Sequence, residues 1–244
     1  MQALRYCIEI AVTDYTTAKA AVAGGADRIE LCSALSEGGI TPSYGLVRQC
    51  RQDFSLPVFP IIRPRAGDFL YTGEEFNLMK QDILMCKQLG CDGIVAGFLA
   101  QDGTVDQKRT GIIRELAYPM EMTFHRAFDR ALDPFRALEE LIQLGCQRIL
   151  TSGQQLTAPE GILLLQQLVQ AAGDRIIIMP GSGVRINNVK QLAEQTGAVE
   201  FHASLRTVVP SQMKFQHPAF SGTDDYTRAA VDEAEVRNLK LALA

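Results

Sequence analysis

Eight short apolar runs recur along the chain, and a segment of helical pattern separates each from the next. The runs are Cys7–Ala11, Arg28–Cys32, Val58–Ile62, Gly93–Ala96, Met122–Phe124, Arg148–Thr151, Arg175–Met179 and Val199–His202. Between them, apolar residues fall at helical spacing, as Leu78, Met79, Ile83, Leu84 and Cys86 do within 76–89. Connections of that length require neighbouring strands to run parallel, and eight such units close on themselves as a (β/α)8 TIM barrel, an α/β fold of about 250 residues. The chain has 244. An open doubly wound sheet also alternates, but it has fewer strands and a glycine fingerprint after the first. Here that loop is Val12-Thr13-Asp14, without glycine. The expectation is a single barrel domain over 1–210. A C-terminal extension over 211–244 is expected to carry a terminal helix, Ala229–Leu243, that packs on the barrel.

Local signals agree with this frame. Asp14 is placed to cap a helix that Gly24-Gly25 stops. Asp133-Pro134 has the cap-then-proline order of a helix start, and Pro42 is read as opening the second helix. Gly90 and Gly145 stand where a helix gives way to a strand.

Composition narrows the functional classes. A net charge of −4, no tryptophan and 7% aromatic residues leave neither a basic face nor a stacking platform for nucleic acid. No apolar run reaches membrane-spanning length, and no signal segment precedes the first strand, so neither a membrane nor secretion is expected. The six cysteines are scattered with no Cys-x-x-Cys pair, the pattern of reduced thiols in a cytoplasmic protein.

Barrel enzymes place their sites at the carboxyl ends of the strands, so the ionisable residues there are the candidates. Strand alternation turns Glu9, Glu30, Cys32, Glu200 and His202 inward, while Arg63 and His125 follow strands three and five. Buried charges must pair, so a structural polar layer is one reading of this set. A site is the other. Gly181-Ser182-Gly183 follows strand seven, where free backbone amides can hold an anion, and Ser152 and Ser204 add hydroxyls from the flanking loops. Arg63 and Arg65 form a charged loop over the mouth, suited either to clamping a carboxylate or phosphate or to internal ion pairs. In the enzyme reading, Glu9 or Glu30 is the general base and His125 the acid or electrophile. Arg63, Arg65 and Arg126 then hold a small anionic or phosphorylated metabolite, with His202 at the same face.

Taken together, several stretches resemble one known family. They are Gly25-Ala26-Asp27-Arg28-Ile29-Glu30-Leu31-Cys32, Ser36-Glu37-Gly38-Gly39 with Thr41-Pro42-Ser43, Ile62-Arg63-Pro64-Arg65 with Gly67-Asp68-Phe69, Thr123-Phe124-His125-Arg126-Ala127-Phe128-Asp129, Leu150-Thr151-Ser152-Gly153, Glu200-Phe201-His202 and Met213-Lys214-Phe215. The chain is similar, from its first strand to about residue 215, to the CutC copper-homeostasis family. The resemblance implies a cytosolic barrel, monomeric or homodimeric, with a part in copper handling and proposed to bind Cu(I). It also implies Cys32 as a metal ligand, since a soft cation suits thiolate. The position of a partner cysteine in some members is Ala11 here.

Overall fold

The structure is a computed structural model describing residues 6–220 and 226–243. The strands are β1 (Cys7–Val12), β2 (Arg28–Leu31), β3 (Val58–Pro60), β4 (Gly93–Ala96), β5 (Glu121–Phe124), β6 (Arg148–Thr151), β7 (Ile177–Pro180) and β8 (Glu200–Ala203). The helices between them are α1 (Tyr15–Ala23), α2 (Tyr44–Asp53), α3 (Gly73–Gln88), α4 (Gln107–Ala117), α5 (Pro134–Gln143), α6 (Ile162–Ala172) and α7 (Val189–Thr196). Parallel ladders run in the orders β3-β2-β1-β8 and β4-β5-β6-β7. Ile61 bridges to Val95, with the Ile62 N–H donating to the Val95 carbonyl at 2.7 Å, and this joins β3 to β4. β7 packs beside β8 and completes the circle, so the chain is a TIM barrel as its alternation predicts.

Register decides which side chains meet inside. Glu9 lies level with Arg28 on one side and His202 on the other, and Ala11 lies level with Glu30. Residues of the other phase, among them Ile8, Ile10, Ile29 and Leu31, form the apolar shell against the helices. Within the barrel the lower layer is ionic. Arg28 reaches Glu9 and Glu200, each at 2.5 Å, and Arg148 reaches Glu200 at 3.1 Å and Glu121 at 2.6 Å. The guanidinium carbons of Arg28 and Arg148 lie 5.0 and 5.3 Å from the centre of the Phe59 ring. Cys32, Ile61 and Val95 join Phe59 in a small apolar cluster of their own.

Two local readings change. Pro42 does not open α2; Ser43 caps it, its hydroxyl accepting from the Leu46 N–H at 3.3 Å. The stretch 227–231 is not helical. It forms β10 (Thr227–Val231), antiparallel to β9 (Arg206–Pro210), so α8 (Glu233–Leu241) begins four residues later than its pattern suggests. This ribbon is largely exposed, so it lacks the apolar alternation that marks a half-buried strand. α8 comes down on the end of α1 at Gly24. A Cβ there would lie 2.5 Å from the Val236 Cβ and 2.7 Å from the Glu233 carbonyl oxygen.

Gly93 has the same role inside the barrel. Any Cβ on it would lie 2.4 Å from the Phe59 ring, which the two guanidinium groups hold in place. Gly93→Ala is expected to lower stability by about 1–3 kcal/mol, the usual effect of overpacking a filled core, as measured by urea denaturation. An unchanged midpoint would show that Phe59 is free to move.

Candidate active site at the barrel mouth

Above the ionic layer, the strand ends and their loops enclose a cavity of about 550 Å³. One wall is built by β1, β8 and β2. Arg28 holds one oxygen of Glu9, and the other lies 2.7 Å from His202 Nδ1. That contact keeps the Nδ1 proton in place and turns Nε2 toward Glu30, whose Oε2 is 3.8 Å away. The second Glu30 oxygen is buried without a hydrogen-bond partner.

The charges follow from these contacts. Burial pulls Glu9 upward, but Arg28 and then His202 outweigh it and hold the carboxyl at about 2. Glu30 lacks such a partner, and burial pushes it up to about 7, with His202 opposing and Glu9 reinforcing. Burial works against charge on His202, yet Glu30 and Glu9 raise it above the ordinary histidine value. Glu30 and His202 thus shift in the same direction side by side, and Glu9 orients the imidazole from behind.

The opposite wall carries His125, Phe69, Arg63 and Arg130. His125 Nδ1 accepts the Ala127 N–H at 3.1 Å, which places the ring proton on Nε2, a buried donor with no protein acceptor. Burial, and then Arg63, push its pKa down to about 3, so the ring is a neutral donor. A Cβ at Gly97 would come within 2.5 Å of this ring, so the close approach needs glycine. Arg63 is 4% exposed and donates to the carbonyls of Glu37, Gly39 and Gly67 at 2.7–2.9 Å. It stacks on Phe69 at 5.2 Å, as does Arg130. Among the described residues Arg63 has no carboxylate partner, and its Nε is buried without an acceptor.

The third wall comes from the loops after β5 to β8. Asp129 is its hub: it accepts from the Thr151 hydroxyl at 2.5 Å, from the N–H groups of Ser152 and Gln154, and from Arg126 at 2.7 Å. Arg126 also donates to the Ser152 hydroxyl at 2.8 Å. Ser182 and Gly183 have φ of 73° and 75°, a left-handed turn at the cavity edge, and their N–H groups meet no protein acceptor among the described residues.

Of the residues expected from sequence, Glu30, Arg63, His125, Arg126, Ser182, Gly183, His202 and Ser204 line the cavity together. Others stand apart from it. Glu9 acts through His202 from below. Arg65 is no clamp: Asp68 and Glu75 take its guanidinium at 2.9 and 2.6 Å and tie it to its own loop. Ser152 is consumed within the Asp129 hub, its hydroxyl donating to the Gln155 carbonyl at 2.5 Å. Gly181 supplies room, since a Cβ there would meet Leu150 at 2.4 Å. Cys32 lies in the apolar cluster under the cavity, its thiol donating to the Val12 carbonyl at 3.5 Å, and burial raises it far above the ordinary thiol value. Sequence reasoning missed Asp129, Arg130, Arg206, Glu37 and Phe69 as parts of the site. The close spacing of Arg126, Asp129 and Arg130 was the available signal.

Ligand atoms of Glu9, Glu30 and His202 lie within 4.8 Å of one another, the spacing of a cation site. Both oxygens of Glu9 are already engaged, by Arg28 and by His202. All three donors are oxygen or nitrogen, so the set lacks the thiolate that Cu(I) favours.

Comparison with known proteins places this arrangement. The model of the CutC family matches residues 6–207. The chain belongs to the CutC family. A CutC protein of Chromobacterium violaceum is 47% identical over 97% of both chains. A human protein named copper homeostasis protein cutC homolog is 43% identical over 96% of this chain and 88% of its own. The crystal structure of CutC from Streptococcus agalactiae superposes with a TM-score of 0.78 at 30% identity, covering 82% of this chain and 98% of that one. Phosphoribosylanthranilate isomerase from Pyrococcus furiosus superposes with a TM-score of 0.59 at 11% identity, which reflects the shared fold alone.

The elevated Glu30 has a consequence for stability. An acid whose pKa rises on folding stabilises the native state below its unfolded value near 4.5, and that contribution is lost as pH climbs through 7. Glu30→Gln cannot ionise, so it should gain on the wild type between pH 5 and pH 8, by up to about 3 kcal/mol. Chemical denaturation of both proteins at several pH values measures this, and a difference that stays flat or runs the other way refutes the assignment.

Proposed function

We propose that this CutC-family chain works in the cytoplasm and serves copper homeostasis, the role printed in its human relative's name, by binding a small phosphorylated metabolite at the barrel mouth and moving a proton on it. The observation that carries this reading is Arg63. A guanidinium 4% exposed, with no carboxylate partner among the described residues, is a buried cation awaiting an anion. Arg130 and Arg206 line the same cavity without ion-pair partners among the described residues. The free amides of Ser182 and Gly183 form the concave backbone nest that suits phosphate oxygens. Glu30 and His202 supply the proton chemistry. No helix among the described residues is long and apolar enough to cross a membrane.

Capture of Cu(I) by Cys32 is the competing reading, and the residues present fit it poorly. The thiol is fully buried and held protonated, and no second sulfur stands at Ala11. In an anaerobic competition with a chromophoric Cu(I) chelator, wild type and Cys32→Ala should release copper equally. One equivalent held by the wild type and lost in Cys32→Ala would turn the assignment to a direct copper carrier. Glycerol 3-phosphate at a hundred times its Kd should raise the melting temperature by about 5–10 °C, while glycerol leaves it unchanged. Arg206→Ala should lose most of that shift. A melting temperature indifferent to glycerol 3-phosphate and to inorganic phosphate would overturn the reading.

A further inference from the structure

Among the described residues three buried polar atoms of the cavity lining have no hydrogen-bond partner, Arg63 Nε, Glu30 Oε1 and His125 Nε2, and the last two complement each other. Glu30 Oε1 is an acceptor on β2, and His125 Nε2–H is a donor at the end of β5. β2 and β5 lie three strands apart around the ring, so the two groups face the cavity from opposing sides. A buried donor or acceptor without a partner carries a desolvation cost of about 1–3 kcal/mol, and a pair of them facing one cavity is accounted for by a ligand that bonds to both. The donor is also of an unusual kind. An imidazolium on that wall would face Arg63 and Arg130, so the ring stays neutral and acts only as a hydrogen-bond donor. A neutral imidazole suits a carbonyl oxygen that gains charge during reaction, because it can stabilise the oxyanion without giving up its proton.

We infer that the substrate is a phosphorylated carbonyl compound and that the site abstracts the proton from the carbon beside the carbonyl. This inference rests on the phosphorylated-ligand reading above and names its reaction class. The C–H bond breaks, and its proton goes to the Glu30 carboxylate, with His202 Nε2 alongside to share it. The electron pair forms the C=C bond of an enolate, whose oxygen is held by His125 Nε2–H. The substrate carries a hydroxyl on the deprotonated carbon: its O–H proton passes to the enolate oxygen, the abstracted proton returns to the former carbonyl carbon, and the carbonyl reforms on the neighbouring carbon, so no oxidant, reductant or co-reactant is needed. Glu9 is a positioning residue, acting by fixing the His202 tautomer. The reaction that supplies the substrate must therefore deliver an aldose or ketose phosphate.

The test compares two ligands by calorimetry with EDTA present: phosphoglycolohydroxamate, which mimics a phosphorylated enediolate, and glycerol 3-phosphate, which offers the phosphate without it. The wild type should bind the hydroxamate at least 100-fold more tightly. His125→Ala should reduce that preference below tenfold while changing the glycerol 3-phosphate Kd less than threefold, which also reports that the variant is folded. If that variant does not fold, His125→Asn, which retains a donor, should keep at least tenfold of the preference. Equal affinity of the wild type for both ligands overturns the enolisation inference and leaves the phosphorylated-ligand reading standing. A wild type that binds neither overturns both.

Discussion

The ion pair between Arg28 and Glu9 is the interaction on which the rest of the site depends. It is buried inside the barrel, with Arg28 shared by Glu200 and the system continued through Arg148 to Glu121. Charges taken that far from water persist only when each has partners of good geometry, and breaking one such pair typically costs 3–5 kcal/mol. The layer works upward as well as downward. By occupying one oxygen of Glu9, Arg28 keeps that carboxylate ionised, and the other oxygen then orients His202. Glu30, one step further from Arg28 along the inner face of β2, has no cation of its own and titrates near 7. Two glutamates of one barrel thus take opposite protonation behaviour from their distance to one guanidinium.

Most of the barrel was legible because its determinants are local. β4, β6 and the start of α5 coincide with their sequence patterns, since apolar runs, Asp133 and Pro134 act over a few residues. The β9–β10 ribbon was not legible, because an exposed two-stranded arm buries too little to leave a pattern in hydrophobicity. The site divides along the same line. Strand period turns Glu30 and His202 inward, and its place just after β5 puts His125 at the mouth. It does not say which arginine will be free. Arg65 looks identical to Arg63 in sequence, yet Asp68 and Glu75 neutralise one while the other donates to backbone carbonyls and, among the described residues, meets no carboxylate. Asp129 escaped notice because its importance lies in bonds to Thr151, Ser152 and Gln154, over 20 residues away.

Cys32 illustrates how family resemblance and local chemistry separate. The resemblance points to a soft metal ligand, while the fold puts the sulfur among Phe59, Ile61 and Val95 beneath the cavity. There it acts as a small apolar residue with a weak hydrogen bond to Val12. Its neighbour Gly39 is φ-positive and close-packed on it, a Cβ there approaching the Cys32 Cβ to 3.3 Å, and this brings the β2–α2 loop down over the barrel. The same loop offers the Glu37 and Gly39 carbonyls to Arg63. Cys32 thus supports the loop that positions the buried cation.

That loop and the one carrying Phe69 meet at Arg63, which donates to carbonyls of both and stacks on the aromatic ring between them. Phe69 in turn lies 4.7 Å from His125, so the cation, the ring and the neutral imidazole form one continuous wall. Burial keeps His125 unprotonated, and the positive charge that suits this wall to an anion adds to it. The positive wall and the neutral imidazole are therefore not two features that happen to share a cavity. A guanidinium held by neutral carbonyls keeps its full field, and that field favours an anion at the mouth while adding to the burial that holds His125 neutral.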